Sequence, residues 1–123
     1  MHLLYVEDNE DTIDATMLYL DEFFDAITVA KNGKEGVEKF QKHTIDMIIS
    51  DINMPIMDGL EMAEQIKGVN PHIPIIFFSA HNEESFIQRA NALNIEGYLY
   101  KPLHHHQFIA LLEEIMHKMS DKK

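Results

Sequence analysis

The sequence predicts a single α/β domain in which five parallel strands alternate with five helices. Two observations support this prediction: short apolar runs typical of buried strands recur along the chain, and amphipathic stretches lie between them. A chain of 123 residues that is 46% hydrophobic can bury one sizeable core but not two. We expect residues 1–119 to form this domain and residues 120–123 to form a polar tail.

The first strand is predicted from His2 to Val6. The helix after it should begin near Glu10 and Asp11, because acidic side chains favour the positive end of a helix dipole. Its inner face is predicted from apolar residues at helical spacing, which are Ile13, Met17, Leu20 and Phe24.

A second strand is predicted from Ala26 to Ala30. After it, Asn32 and Glu35 have the spacing of a capping box, which indicates the start of a helix. This second helix is expected to turn Val37 and Phe40 towards the core.

The third strand, Met47 to Ile49, is uniformly apolar, which is typical of a strand buried on both faces. It leads into Asp51, after which Pro55 and Gly59 prevent the strand from continuing. In an open parallel sheet, ligands bind at this carboxyl edge of the strands. We therefore expect a functional site around Asp51.

The third helix is predicted to start at Asp58, with Glu61 reaching back, and to end at Gly68. Pro71 and Pro74 then confine the chain to a short loop. The inner face of this helix is predicted to contain Leu60, Ala63 and Ile66.

The fourth strand is predicted from Ile75 to Phe78 and the fifth from Gly97 to Tyr100. Between them, a less regular pattern predicts a helix with the inward residues Phe86, Ala90 and Leu93. The last helix is strongly amphipathic, and its apolar face contains Phe108, Leu111, Leu112, Ile115 and Met119.

Composition argues against several function classes. The formal net charge is −11, with 21 acidic residues against 10 basic ones, so most of the surface repels nucleic acid. The chain has no cysteine, which excludes thiol chemistry and disulfides and suits a reducing cytoplasm. No apolar run reaches membrane-spanning length. We expect a cytoplasmic protein that binds neither DNA nor a membrane directly.

Polar side chains follow four of the five predicted strands. Right-handed crossovers should make these strands parallel and bring to one edge the residues Glu7, Asp8, Asp51, Ser79 and Lys101. Three carboxylates at close range need a counter-ion, and Mg²⁺, which prefers oxygen ligands, fits such a group. Lys101 would add a charge, and Ser79 a hydrogen bond, for phosphate oxygens. The residues therefore predict a magnesium-dependent phosphoryl site.

With these residues identified, the chain resembles the response-regulator receiver domains, the CheY-like family, over essentially its whole length. The resemblance rests on motifs in the family's order and spacing, which are Glu7-Asp8, Asp51 within SDINMPIMDG, Ser79-Ala80 and Lys101-Pro102. It implies a flavodoxin-like, doubly wound sheet with strand order 2-1-3-4-5. It also implies a cis peptide bond between Lys101 and Pro102.

The resemblance implies a role for each residue of the site. Asp51 would accept a phosphoryl group from a sensor histidine kinase or a phosphotransfer protein. Asp8 and Asp51, with the backbone carbonyl of Asn53, would hold Mg²⁺, while Glu7 would act on the ion largely through water. Lys101 would pair with the phosphoryl oxygens.

Ser79 and Tyr98 correspond to the switch residues of the family. Phosphorylation would draw Ser79 inward, and Tyr98 would change rotamer into the vacated space. The fourth helix, fifth strand and fifth helix would form the face that changes, where an output protein of unknown identity would bind. Asn53 and His81 stand where the family tunes access of hydrolytic water.

The sequence also bears on alternative functions for the chain. An aspartyl-phosphate phosphohydrolase would carry a D-x-D pattern after its first strand, which Asp8-Asn9-Glu10 lacks. We therefore expect that the chain is not an enzyme with an external substrate and that it catalyses only its own phosphoryl transfer and dephosphorylation. The alternatives are an unphosphorylated pseudo-receiver and the receiver fragment of a longer regulator. His104-His105-His106 is expected at a partly exposed helix start, since neighbouring helical side chains diverge and cannot share one metal ion.

Overall fold

The computed structural model describes residues 1–79, 84–101 and 104–121, with the backbone alone described at 84–86, 105, 120 and 121. Its strands form one parallel sheet in the order β2-β1-β3-β4-β5. This confirms the doubly wound fold and the strand order. The elements of the described chain are β1 (His2–Val6), α1 (Glu10–Leu20), β2 (Ala26–Ala30), α2 (Gly33–Lys42), β3 (Met47–Ser50), α3 (Gly59–Val69), β4 (Ile75–Ser79), α4 (Glu84–Ala92), β5 (Gly97–Tyr100) and α5 (His105–Asp121).

Both faces of the sheet are buried, as the uniformly apolar strands predict. Successive residues of a strand point to opposite faces, so Leu4 and Val6 of β1 pack in the layer with α2, α3 and α4. Leu3 and Tyr5 pack in the other layer, with α1 and α5. All four side chains are fully buried. Each such apolar side chain contributes about 1.5–3 kcal/mol of burial free energy, which holds the sheet between its helices.

Three helices begin with a side-chain cap directly after a strand or its loop. Asn9, Asn32 and Asp58 cap α1, α2 and α3, each accepting a hydrogen bond of 2.8–2.9 Å from the backbone N–H three residues on. The sequence predicts the caps at Asn32 and Asp58, and the structure confirms both. The caps fix where the chain leaves the carboxyl edge of the sheet, which is where the predicted site lies.

The end of α1 differs from the prediction. The sequence pattern extends this helix to Phe24, but it ends at Leu20. Glu22 and Phe23 donate to carbonyl oxygens three residues back, so the chain leaves the helix through turns. Phe24 is nevertheless buried in the core, which explains why its spacing resembled that of a helical residue.

The end of α3 also differs. Gly68 is predicted to end this helix but lies inside it, since α3 continues to Val69 and Asn70 is its C-cap. The N–H of Asn70 donates to the carbonyl of Ile66 at 2.8 Å. Pro71 explains this position, because a residue that precedes proline is disfavoured in helical conformation.

The longest described helix is α5, with 17 residues from His105 to Asp121. His104 and His106 are exposed at its start, as expected for the histidine run. Ser120 and Asp121, expected in a polar tail, are helical. None of the described helices combines the length and the hydropathy of a membrane span.

Some sequence predictions concern residues outside the described chain. These are the switch-adjacent Ala80, the rate-tuning position His81, and Pro102 with its expected cis peptide bond. The side chains of Phe86 and His105 also lie outside the description.

A strained turn lies in the loop between β3 and α3. Ile56 has a φ of 70°, and the N–H of Met57 donates to the carbonyl of Pro55 at 2.7 Å. This hydrogen bond closes a three-residue γ-turn around Ile56, a rare and strained arrangement at positive φ. Positive φ is unfavourable for a β-branched residue, and the Ile56 side chain is 78% exposed. Little packing therefore offsets the strain.

We expect Ile56→Asn to raise the free energy of unfolding by about 1 kcal/mol, because Asn tolerates positive φ and little apolar burial is lost. Urea unfolding followed by circular dichroism measures the change. Val69→Asn is the control, since Val69 is 71% exposed and β-branched but lies in a right-handed helix. A gain in the control as large as that in Ile56→Asn would contradict the attribution to strain.

Candidate functional site

Three carboxylates meet at the carboxyl edge of the sheet, where the sequence predicts them. Glu7 and Asp8 follow β1, Asp51 follows β3, and these two strands are neighbours. One carboxylate oxygen from each residue lies within 4.8 Å of the other two. Within the described residues, no other group of His and acidic side chains brings three ligand atoms so close. Glu7 and Asp51 are buried and Asp8 is exposed, so the cluster opens to solvent at Asp8.

Lys101 supplies positive charge to this cluster from the end of β5. Its Nζ donates to Glu7 Oε1 at 2.6 Å and to Asp51 Oδ2 at 3.2 Å. Lys101 therefore lies at the same sheet edge as the carboxylates, where the predicted crossovers put it. The sequence prediction assigned it only to phosphate oxygens and did not foresee the shorter bond to Glu7, because strand order places residues at an edge without specifying which side chains pair.

The long side chain of Lys101 crosses the intervening strand β4. Its Nζ lies 5.4 Å from the centroid of the Phe78 ring, a distance typical of a cation–π contact. Its backbone N–H donates to the carbonyl of Ser79 at 2.9 Å. These two contacts fix the direction in which Lys101 points. In the sequence, Phe78 does not differ from the other apolar residues of its strand, so its contact with Lys101 could not be predicted.

The loop after β3 holds Asp51 in one orientation. The N–H of Ile52 donates to Asp51 Oδ1 at 2.7 Å, and the N–H of Asp51 donates to the carbonyl of Val6 at 2.9 Å. Gly59 packs directly on this loop, because a Cβ added there would lie 2.2 Å from the carbonyl oxygen of Asp51. A side chain at position 59 would therefore push Asp51 out of place.

Burial and charge shift the proton affinities of this cluster. Burial raises the pKa of Glu7 from 4.5 to about 7; the hydrogen bond from Lys101 opposes this rise and the charge of Asp51 adds to it. Burial alone would lower the pKa of Lys101, but its hydrogen bond to Glu7 and the charge of Asp51 raise it instead. Lys101 is therefore cationic at neutral pH. At the same pH, Glu7 is present in both its protonated and its ionised form.

The remaining predicted residues are Ser79, Tyr98 and Asn53, which lie on β4, on β5 and in the loop after β3. Ser79 ends β4, is fully buried, and stands one strand away from the strand that leads to Asp51. Tyr98 is half-buried on β5, opposite Phe77. Asn53 is exposed in the loop after β3. Their roles in metal binding and switching stay predictions.

Comparison with known proteins agrees with this geometry. The family model of the response regulator receiver domain matches residues 3–113. The chemotaxis protein CheY of Halobacterium salinarum is 32% identical over 100 residues, which are 81% of this chain and 83% of that protein. The chain spans only 24% of a Bacillus subtilis transcriptional regulatory protein and 12% of a Vibrio autoinducer sensor kinase that it also matches.

Solved structures give the same result. The N-terminal domain of an uncharacterized protein from Wolinella succinogenes superposes with a TM-score of 0.90 at 31% identity, covering 100% of this chain and 99% of that one. A chain of the CheX–CheY–BeF₃–Mg²⁺ complex from Borrelia burgdorferi superposes with a TM-score of 0.85 at 26% identity, covering 94% and 89%. The fold, the family match and the carboxylate–lysine cluster together show that this chain belongs to the CheY-like response regulator receiver domains of two-component systems.

Proposed function

We propose that the chain accepts a phosphoryl group on Asp51 from a sensor histidine kinase or a phosphotransfer protein in the cytoplasm, with Mg²⁺ as cofactor. One observation carries this proposal. Asp51 is a buried carboxylate that shares a three-carboxylate cluster with Glu7 and Asp8 and lies 3.2 Å from the ammonium group of Lys101. Such a site combines a nucleophile with opposite charge for phosphoryl oxygens.

The cluster fits a divalent cation that prefers oxygen ligands. Its three carboxylate oxygens lie close together, and Asp8 opens it to solvent, which suits an ion that keeps several waters. In this proposal Asp8, Asp51 and the backbone carbonyl of Asn53 would hold Mg²⁺, and Glu7 would act on the ion through water. Bound there, Mg²⁺ would neutralise negative charge on the incoming phosphoryl group.

Asp51 acts as the nucleophile. One of its carboxylate oxygens bonds to phosphorus while the phosphorus–nitrogen bond of the phosphohistidine breaks, and the leaving imidazole nitrogen keeps the electron pair and takes up a proton. The N–H of Ile52 holds the carboxylate in orientation, and Lys101 stabilises the phosphoryl oxygens. Attack by water later returns the carboxylate and releases phosphate. Beyond this cycle we propose no further enzymatic activity.

The response is proposed to pass through Ser79 and Tyr98. Ser79 is fully buried at the same sheet edge, so its hydroxyl is placed to gain a hydrogen bond when a phosphoryl group arrives. Tyr98 is only partly buried against the core, and in this proposal its ring would move between two packings. An output protein would then recognise the face formed by α4, β5 and α5.

The Borrelia complex supports this proposal by similarity. That assembly contains CheY with BeF₃ and Mg²⁺, together with CheX. BeF₃ has the geometry and charge of a phosphoryl group, so a related fold binds such a group and the proposed metal in the presence of a partner protein.

We expect Asp51→Asn to abolish phosphorylation. Intact-mass spectrometry after incubation with a small phosphodonor should show one added phosphoryl group on the wild-type chain with Mg²⁺, and none without it or in the variant, because the amide is a poor nucleophile. Asp14→Asn, an exposed acid on α1, is the matched control and should be modified like the wild type. The same adduct on Asp51→Asn would refute the assignment of the acceptor.

Lys101→Ala is expected to uncouple phosphorylation from response, because it removes the cation that links Asp51 to the end of β5. The measurement is the change in the NMR signals of Tyr98 on adding beryllofluoride and Mg²⁺, which should be lost in the variant. Lys31→Ala removes an exposed lysine paired with Glu10 and serves as control. A full Tyr98 response in Lys101→Ala, or unchanged phosphate-dependent partner binding, would count against this role.

Glu7 should make the metal-free protein less stable as pH rises. Its pKa is about 7 in the folded chain against 4.5 ordinarily, so between these values the folded state keeps a proton that the unfolded state releases. The stabilisation is fully present below about pH 4.5 and is lost as pH rises through about 7, with an upper limit of about 3 kcal/mol. Glu7→Gln cannot titrate and should remove this loss.

Urea unfolding in EDTA at about pH 5 and about pH 7.5 tests this expectation. Glu64→Gln is the control, because Glu64 is an exposed acid on α3. Parallel pH dependences for wild type and Glu7→Gln would contradict the assignment.

A further inference from the structure

Two tyrosine rings on β5 pack against each other, and one of them belongs to the proposed switch residue Tyr98. The ring centroids of Tyr98 and Tyr100 are 5.0 Å apart, and their planes are tilted by 47°. The two side chains stand on the same face of the strand, since they are two positions apart. Their separation falls in the range of about 4.5–7 Å that favours aromatic pairs.

The contact continues inward to a third ring. Tyr98 lies opposite Phe77 of β4, and their centroids are 6.4 Å apart in an edge-to-face arrangement. Phe77 is fully buried, Tyr98 is half-buried and Tyr100 is 44% exposed. We call these three residues the aromatic ladder, because their rings connect the interior of the sheet with its surface.

Tyr100 also lies directly opposite Ser79 in the register of β4 and β5. Side chains opposite each other on neighbouring strands share a face and interact. The strands are joined just beyond this pair, where the N–H of Lys101 donates to the carbonyl of Ser79. Tyr100 therefore adjoins both proposed switch residues, Ser79 across the strands and Tyr98 along its own strand.

We propose that Tyr100 is a positioning residue that couples the rotamer of Tyr98 to the exposed surface. This inference rests on the proposed function for the role of Tyr98. A rotamer change turns χ1 by about 120°, which carries the Tyr98 ring several ångströms and breaks its contact with Tyr100. The free energy of the contact with Tyr100 therefore depends on the rotamer of Tyr98.

This coupling has a consequence for partner binding. Tyr100 is the exposed end of the aromatic ladder, so a protein that contacts its ring biases Tyr98 inside the domain. Coupling free energies are reciprocal, so a change at Tyr98 alters the affinity at Tyr100 by the same factor. Tyr100 would thus report the state of the buried site on the surface of β5.

The test measures the χ1 populations of Tyr98 by NMR. Three-bond couplings from the backbone N and C′ atoms to Cγ report χ1 directly and, unlike chemical shifts, do not respond to the loss of a neighbouring ring current. Tyr100→Leu removes the ring but keeps an apolar side chain, and Tyr100→Phe keeps the ring as the matched control. Each protein is measured with Mg²⁺ before and after addition of beryllofluoride.

In Tyr100→Leu, we expect the Tyr98 rotamer ratio to shift about two- to tenfold from the wild-type value before beryllofluoride is added. Tyr100→Phe should keep the wild-type ratio. Tyr98→Leu should shift the rotamer ratio of Tyr100 by a similar factor. A wild-type Tyr98 ratio in Tyr100→Leu, or equal shifts in the Leu and Phe variants, overturns the proposal.

The design separates this inference from the function on which it rests. Rotamers in the unmodified protein do not depend on chemistry at Asp51, whereas the phosphoryl adduct is measured independently by mass. An adduct on Asp51 together with an unshifted Tyr98 in Tyr100→Leu overturns the coupling alone. A shifted Tyr98 without any adduct on the wild type supports the coupling and refutes the proposed phosphorylation.

Discussion

Burial of negative charge at one sheet edge is the constraint on which the rest of this site depends. Glu7 and Asp51 are almost fully removed from solvent, and two close carboxylates cannot both ionise in a buried site without a counter-charge. Lys101 provides it by bonding to both. The strand order makes this possible, because β1 and β3 are neighbours and bring the carboxylates together. Since β4 lies between β3 and β5, a residue at the end of β5 needs a long side chain to reach the carboxylates.

The same balance explains how a chemical change at Asp51 could reach the surface. Lys101 is tied to the carboxylates through its side chain and to Ser79 through its backbone. In the proposed function, a phosphoryl group would add negative charge and acceptor oxygens at one end of this connection, and its partners would be redistributed between two packings. Because the neighbouring core is densely packed, such rearrangements occur as discrete steps. The aromatic ladder contains Tyr98, one of the residues proposed to move.

The sequence predicted the elements and the meeting of the carboxylates because both follow from strong local rules. Apolar strands, the caps at Asn32 and Asp58, and right-handed crossovers require no knowledge of side-chain contacts. Strand order came from the family resemblance, since crossover rules permit several orders. The pairing of Lys101 with Glu7 and the contact with Phe78 depend on rotamers and could not be predicted. The prediction of α1 was wrong at Phe24, because this residue is buried by tertiary packing and its spacing from Leu20 matches that of a helix.

A comparison with a second lysine shows how the ion pairs of Lys101 differ from those of a lysine with a structural role. Lys67, at the opposite edge of the sheet, is more buried than Lys101. Its Nζ donates to Glu96 at 2.8 Å and to the carbonyl of Ile73 at 2.8 Å. One cation meets one carboxylate there, so that pair needs nothing more and acts as a structural link. At Lys101 one cation faces three carboxylates. Burial, with the charge of Asp51 added, raises the pKa of Glu7, and this lowers stability at neutral pH. In the proposed function, a divalent cation would relieve the excess of negative charge. A site with this imbalance is stabilised by the ligand that its proposed chemistry requires.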